Sequence, residues 1–340
     1  NVESTGAALD LDGTVTSTAG AVTLVANTNV DTAALVTGAN NVSITANGSV
    51  DVNALAATAG DITVDADTFT NDGAVVAADD VNIAADISII TSADLTATGG
   101  DLSLTGGIIT TTGNTLTAGS DVSINGTDVT LDTVAATEAV TVKGTGTVML
   151  DGTVNGATVN VESTTADLDV NNTVASGTGD TTLVAATAVD LANTVTSAAD
   201  LTINAGTTVT AADLLTGADN VSITAGGAVA VDDITATAGD VNVTTTGAFT
   251  NADLVQALAG NINISADASI ITTGNVDAAA ALTMVSAGTV QTIGTIEGAT
   301  VNVESTGAAL DLDGTVTSTT GDVTLVATTN VDTATLVTGA

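Results

Sequence analysis

The sequence predicts an all-β fold, a right-handed parallel β-helix (β-solenoid) with about 20 residues per coil and about 17 coils. The first observation is a short run of alternating apolar and polar residues, of the type Val-x-Ile-x-Ala, that recurs about every twenty residues. The second is the absence of proline, which would remove a backbone donor from a continuous ladder. The third is a hydrophobic content of 44% with 1% aromatic residues, which suits a narrow aliphatic core.

Each recurring run is called an anchor run here, and its first residue is the anchor. A single coil of this length cannot bury its own apolar face, so the regular spacing predicts that each coil packs against its neighbours. The general rule for crossovers between parallel strands predicts right-handed coiling. A clipped run (NVES) begins at Asn1, and the full runs open at Val22, Val42, Ile62, Val81, Leu102, Val122, Val140, Val159, Thr181, Leu201, Val221, Val241, Ile262, Leu282, Val301 and Val323.

One coil, residues 42–61, illustrates the three predicted strands. Residues 42–46 (VSITA) alternate with period two, which predicts a strand with one buried face. Asn47-Gly48 is a turn signal, and residues 50–52 (VDV) form a second alternating strand with Asp51 facing outward. Residues 54–59 form a third strand with a smaller face of alanine and threonine, and the next coil follows.

The corner before each anchor run also repeats. Asparagine or aspartate directly precedes 11 of the 16 full anchors, and glycine often stands one place earlier. Short side chains that bond their own backbone, together with glycine, are typical of tight turns, so the pattern predicts a turn that recurs in every coil. The residues are Asn41, Asp61, Asp80, Asp101, Asp121, Asp180, Asp200, Asn220, Asp240, Asn261 and Asp322.

A second level of duplication predicts how the chain is organised. Residues 1–39 and 302–340 are identical at 35 of 39 positions. We expect residues 1–340 to be a single continuous solenoid segment of a longer chain, with super-repeats at approximately 1–159, 160–301 and 302–340. Phe69 and Phe249 occupy related positions in this scheme, and we expect both to stack inward in equivalent coils.

The composition argues against several classes of function. One lysine, no arginine and 39 acidic residues give a net charge of −38, which repels nucleic acid and anionic membranes. No apolar run is long enough to span a membrane, and no cysteine is present to form a disulfide or a thiolate metal site. With no histidine and no cysteine, no nucleophile–base pair can be identified from spacing, so catalysis has no support.

The strongest candidate site is a calcium site at the two LDLDG segments. Asp-x-Asp on a strand places both carboxylates on one outward face, and stacked coils bring further carboxylates near enough to share a hard cation. The candidate ligands are Asp10 and Asp12 in one copy and Asp311 and Asp313 in the other, and no other cofactor is expected. The alternative is an acidic face that is simply solvated. A weaker alternative is ice binding by Thr-x-Thr pairs such as residues 194–196 and 235–237.

Two segments resemble a known family: residues 101–126 (DLSLTGGIITTTGNTLTAGSDVSING) and 40–66 (NNVSITANGSVDVNALAATAGDITVDA). They look like the repeats of filamentous haemagglutinin-type exoproteins, and the likeness extends over the whole chain. The resemblance implies a right-handed β-helix in a large secreted or surface-exposed bacterial protein that acts in adhesion. This chain differs in its strong acidity, which favours a stalk or fibre over binding of an anionic polysaccharide.

The sequence therefore predicts a non-enzymatic extracellular or cell-surface structural protein. We expect a rigid acidic rod that acts as an adhesin stalk or as a surface or matrix filament. Its expected partners are other copies of itself, end to end or side by side, or a cell-surface receptor or glycan. A calcium-binding module that crosslinks rods is the alternative, and a carbohydrate-active enzyme is a weaker one.

Overall fold

A computed structural model describes residues 1–340 as an all-β chain without helices. Each coil has about 20 residues and typically three strands, and the chain forms about 17 coils, which confirms the predicted β-solenoid. No helix that could cross a membrane is present. The chain divides into two compact units, unit 1 (residues 1–165) and unit 2 (residues 166–340), and each is described by itself.

Unit 1 has three strand faces. The anchor runs form its first face, and three long strands continue through the first corner into the second face: Ile62–Asn71, Val81–Thr91 and Leu102–Thr110. The other first-face strands are Val2–Ser4, Val22–Ala26, Val42–Ala46, Val122–Gly126, Ala139–Gly144 and Thr158–Ser163. The other second-face strands are Leu9–Leu11, Val30–Thr32, Ser49–Val52, Asp128–Leu131 and Val148–Leu150. The third face contains Val15–Ser17, Val36–Gly38, Leu55–Ala57, Val75–Ala77, Leu95–Ala97, Thr115–Ala118, Thr133–Ala136 and Val154–Gly156.

Unit 2 has the same three faces, without long strands that pass through a corner. Its first face contains Thr181–Ala185, Leu201–Ala205, Val221–Ala225, Val241–Thr245, Ile262–Ala266, Ala281–Ser286, Thr300–Ser305 and Val323–Ala327. The second contains Leu168–Val170, Val189–Leu191, Val209–Ala211, Val229–Val231, Phe249–Asn251, Ile270–Thr272, Val290–Thr292, Leu310–Leu312 and Val331–Thr333. The third contains Val174–Ser176, Val195–Ser197, Leu215–Gly217, Ile234–Ala236, Val255–Ala257, Val276–Ala278, Ile296–Gly298, Val316–Ser318 and Val337–Thr338.

Equivalent strands of successive coils pair in parallel, so equivalent side chains stack directly. Leu24 pairs with Ile44, and Ile44 pairs with Val64, and all three are buried. In the long strands the register shifts by one residue at the first corner, as between Ala66 and Thr68. Because side chains alternate between the two sides of a strand, this stacking turns the period-two pattern into continuous apolar columns inside the coil.

The two phenylalanines lie within such columns. Phe69 pairs with Val50 and Ile89 on the second face of unit 1, and its side chain is fully buried. Phe249 has the same environment in unit 2, where it is fully buried and pairs with Val229 and Ile270. The prediction that both side chains stack inward is confirmed.

The asparagine and aspartate residues before the anchors form a ladder between coils. The side-chain amide Oδ1 of Asn41 accepts a hydrogen bond from the backbone N–H of Asp61, and the carboxylate Oδ1 of Asp61 accepts one from the backbone N–H of Asp80. In unit 2 the corresponding bonds run from Asp180 through Asp200 to Asn220, and the distances in the two ladders lie between 2.7 and 3.3 Å. The prediction that these side chains bond their own backbone is wrong, because stacking brings the amide of the next coil within reach.

Glycine at this corner depends on corner length. Where four residues separate the third-face strand from the next anchor run, the residue two places before the anchor is glycine. In corners of three residues the same position holds another residue, such as Asp79 or Ala199. A Cβ on Gly60 would lie 2.1 Å from Oδ1 of Asn41, so the missing Cβ leaves space for the ladder side chain of the preceding coil. The glycines of the four-residue corners are Gly20, Gly60, Gly100, Gly179, Gly239, Gly260 and Gly321.

Candidate functional site

The first candidate calcium segment forms a row of carboxylates on the second face of unit 1. Asp10 lies in Leu9–Leu11 with its side chain exposed, and it pairs in register with Asp31. Asp31 pairs in turn with Asp51, whose Oδ1 accepts a hydrogen bond of 2.9 Å from the Thr70 hydroxyl. Strand pairing therefore brings together Asp10 and two further aspartates that the sequence did not single out, at the spacing of adjacent strands.

The carboxylates of this row interact electrostatically. Desolvation between the neighbouring strands raises the pKa of Asp31, and repulsion from Asp51, Asp10 and Asp12 adds to that effect. Asp12 follows the strand at the second corner and is exposed. The row thus stores like-charge repulsion, which a bound cation or protonation would relieve.

The second candidate segment has different neighbours. Asp311 lies in Leu310–Leu312 between Gln291 and Asp332, and Gln291 Nε2 donates a hydrogen bond of 3.2 Å to its Oδ2. Asp313 is exposed, and its backbone N–H donates to the carbonyl of Thr292 at 2.8 Å. In neither copy do three or more acidic side chains converge as a metal site requires. Calcium binding therefore stays a prediction, and the candidate ligands are single carboxylates in outward rows.

Two other charged groups have specific partners. The Thr187 hydroxyl and the backbone N–H of Ala188 both donate to Asp167, and these bonds hold the pKa of its carboxyl below the usual value. Lys143 and Glu162 occupy paired positions on the first face of unit 1, with 2.9 Å between Nζ and Oε2. This half-exposed ion pair neutralises one carboxylate locally and contributes little to stability.

A groove with a volume of about 410 Å³ lies on the second face of unit 2. It crosses four coils and is lined mainly by alanine and threonine, with Asp232 as the one ionisable side chain. The groove is shallow, and a single carboxylate without a nucleophile or a second acid offers no pair for acid–base chemistry.

Threonines of the third face form a single row. In unit 2, Thr196, Thr216 and Thr235 stack in register, and Gln256 and Asp277 continue the same row. One outward residue per strand gives a surface only one side chain wide. The two-residue-wide array that Thr-x-Thr spacing suggested is therefore absent along these five coils.

A neutral polar surface on the first face was not predicted from the sequence. Most of its strands have at least five residues on this face and present two outward rows, where most strands on the other faces present one. The residue directly after the anchor is serine, threonine or asparagine in all sixteen full anchor runs. The signal was present in the sequence, but only strand pairing shows that these residues form a row within each unit.

Several buried polar groups lie at the end of the second face. Asn71 and Thr91 in unit 1, and Asn251, Thr272 and Thr292 in unit 2, are almost completely buried. The amide nitrogen of Asn251 donates to the carbonyl of Asp253 at 2.7 Å, whereas its Oδ1 and the hydroxyls of the two unit 2 threonines have no hydrogen-bond partner. Such groups are destabilising unless water reaches them.

No family model, curated protein or solved structure matches this chain. The stacked coils are compatible with the β-helix repeats of adhesins. What the chain does is therefore inferred from its own residues, above all from the regular coils and from the placement of charge.

Proposed function

We propose that this chain is a non-enzymatic extracellular structural protein, a segment of an adhesin stalk or of a surface or matrix filament. The observation that carries the proposal is the shortness of the corners, none of which is longer than four residues. Binding and catalytic residues lie disproportionately on loops that a rigid scaffold positions. Here almost all of the chain is used to pair one coil with the next.

The energetics of the coil support a load-carrying or spacing role. Each coil contributes backbone hydrogen bonds and apolar contacts to its neighbours, so stability grows with the number of coils. Resistance to proteolysis fits the same role, because one lysine and no arginine leave trypsin almost nothing to cleave. The repeats further support membership of the filamentous haemagglutinin type and export to the cell surface.

Electron microscopy of native cell-surface material, labelled with an antibody against residues 1–340, tests this proposal. Label along regular filaments, or along thin threads that end in a distinct tip, is the expected result. Filaments would identify a structural polymer, and threads would identify a stalk whose tip carries the adhesive function. Label confined to the cell interior, or a substrate turned over by the purified chain, would refute it.

A calcium-binding module is a second candidate, and the row formed by Asp10, Asp31 and Asp51 favours it. A divalent cation would relieve the repulsion that, together with the larger effect of desolvation, raises the pKa of Asp31. The test compares the thermal midpoint in Ca²⁺ with that in Na⁺ at equal ionic strength, in the natural chain and in Asp10→Asn. A calcium-specific increase that Asp10→Asn removes would support the site, and equal midpoints in both salts would exclude it.

A further inference from the structure

The first face of unit 2 is free of charge over six consecutive strands. Its outward side chains are neutral from Thr182 to Val285, and they alternate with buried, mostly apolar ones. The corner that follows these strands contains a single acid, Asp267. The outward residues are Thr182, Val184, Thr202, Asn204, Ser222, Thr224, Asn242, Thr244, Asn263, Ser265, Thr283 and Val285.

This neutrality contrasts with the rest of unit 2. Residues 166–340 contain 19 acidic residues and no lysine or arginine, and only Glu304 among these acids lies in the outward rows of the first face. The others lie at the corners and on the second and third faces, for example Asp190, Asp277 and Asp311. Acidic side chains are thus abundant around the neutral surface and absent from it.

The distribution of charge determines which contacts between two copies are possible. Approach through the corners beside the second face, which contain Asp213, Asp232 and Asp253, brings carboxylates of both copies together with no cation to pair them, which is unfavourable. Approach through residues 182–285 of the first face brings only neutral groups together. Each serine, threonine and asparagine there is both a donor and an acceptor, so the surface is complementary to itself.

The asparagines of this surface also have a fixed arrangement. Asn242 and Asn263 pair in register, and the Asn263 amide nitrogen donates to Asn242 Oδ1 at 3.0 Å. This bond orients both amides along the row and leaves the remaining donor and acceptor positions outward. A regular array of oriented groups on a flat sheet suits another flat sheet with the same repeat.

We propose that the outward side chains of residues 182–285 form the surface through which a second copy of this chain packs sideways, first face against first face. The inference rests on the proposed structural function, for which it identifies the partner and the contact. It explains why the acids of unit 2 surround residues 182–285 of the first face but are absent from its two outward rows there.

The size of the surface sets the strength of the contact. Six strands about 4.8 Å apart, each five residues long, cover about 450 Å² per copy. The total of about 900 Å² is smaller than the roughly 1,200–2,000 Å² of a stable interface. We therefore expect weak association of single units that salt strengthens, because screening reduces the repulsion between the acids around the surface.

Sedimentation equilibrium of the full chain, up to about 1 mM in low and in high NaCl, tests the proposal. The surface variant is Thr224→Asp with Ser265→Asp, two exposed positions separated by one coil. The matched control is Thr210→Asp with Thr250→Asp, which adds the same charge at the same spacing on the second face. Circular dichroism and urea unfolding establish that both variants retain the fold.

We expect the natural chain to self-associate, with an association constant that increases with salt. The constant should be at least about tenfold lower in the surface variant and unchanged in the control. A natural chain that stays monomeric in high salt, or equal losses in both variants, would overturn the proposal. Retention on an insoluble neutral polysaccharide without self-association, lost in the surface variant, would overturn it in favour of a glycan ligand. None of these results would refute the structural function, which depends on the microscopy of native material.

Discussion

Gly60→Ala tests the spatial coupling between corner glycines and the ladder of asparagine and aspartate side chains. The new Cβ would lie 2.1 Å from Asn41 Oδ1, while the nearest backbone atom, the Asn40 carbonyl carbon, lies at 3.2 Å. The principal clash is therefore with the end of a side chain that can rotate. In the natural chain that side chain accepts the Asp61 N–H at 3.3 Å and donates to Asp61 Oδ2 at 3.1 Å.

The magnitude follows from these contacts. Rotation of Asn41 away from the new methyl group loses both hydrogen bonds to Asp61, at a cost of about 1–2 kcal/mol. Alanine also restricts the unfolded chain, which stabilises the fold by about 0.4–1 kcal/mol. In an Asn41→Ala background only the second effect remains. Gly60→Ala should therefore stabilise that background, and the two substitutions should be coupled by about 1 kcal/mol.

Urea unfolding of the natural chain, both single variants and the double variant gives the coupling energy. Hydrogen exchange of the Asp61 amide reports the same bond locally, which matters because repeat proteins do not always unfold in one step. Gly20→Ala is the matched control, since a Cβ there meets only the Ser17 hydroxyl at 3.7 Å. A coupling below about 0.3 kcal/mol, or a cost for Gly20→Ala equal to that of Gly60→Ala, would refute the reasoning.

Five further predictions concern charge, buried polar groups and calcium. Because salt screens a net charge of −38, the urea midpoint should rise between about 0.05 and 0.5 M NaCl, and a constant midpoint would contradict this. Because the pKa of Asp31 is raised, its protonated carboxyl favours the folded state below pH 3.8, and this contribution is lost as the pH rises and the carboxyl ionises. Asp31→Asn should therefore stabilise the fold at pH 7 and have no effect in acid. The pKa of Asp167 is lowered, so its ionised carboxylate favours the folded state above pH 3.8. Asp167→Asn should therefore lower the free energy of unfolding at pH 7, and this loss should shrink as the pH falls below 3.8. If the stabilities of the two variants changed with pH in the same way, the result would be inconsistent with these shifts. Thr272→Val removes a buried hydroxyl without a partner and should raise stability to urea by about 1 kcal/mol, whereas a loss would indicate an internal water. If calcium binds at the second LDLDG segment, Asp311→Asn with Asp313→Asn should reduce the calcium-specific rise in thermal midpoint that remains in Asp10→Asn, and an unchanged rise would contradict a site there.

Much of the coil was predictable because its causes are local. Alternation with period two in residues 42–46 and 50–52 predicts two strands, and both occur, as Val42–Ala46 and Ser49–Val52. The third strand is shorter than predicted, Leu55–Ala57, because the corner before the next anchor run takes four residues. The inward position of Phe249 was also predictable, since it follows from the same alternation.

The candidate site was less predictable. The sequence identified Asp10 and Asp12 from their spacing along one strand, but the residues beside Asp10 in space are Asp31 and, one coil further, Asp51. These lie about twenty and forty residues away along the chain, and a shift of one or two residues in a corner would have put other side chains beside Asp10. The lengths of the corners decide this register, and composition does not specify them.

The sequence by itself determined the fold class, the coil length and the identity of the core, because a fixed period of alternating apolar residues has few ways to bury its apolar face. Only the tertiary structure decided what each outward side chain meets. It set the hydrogen bonds of the ladder to the next coil and showed why position 60 has no room for a Cβ. It also placed the neutral outward residues of 182–285 on one surface. The physical reason is that burial depends on the pattern within a strand, whereas contacts between coils depend on register, which the corners fix jointly along the stack.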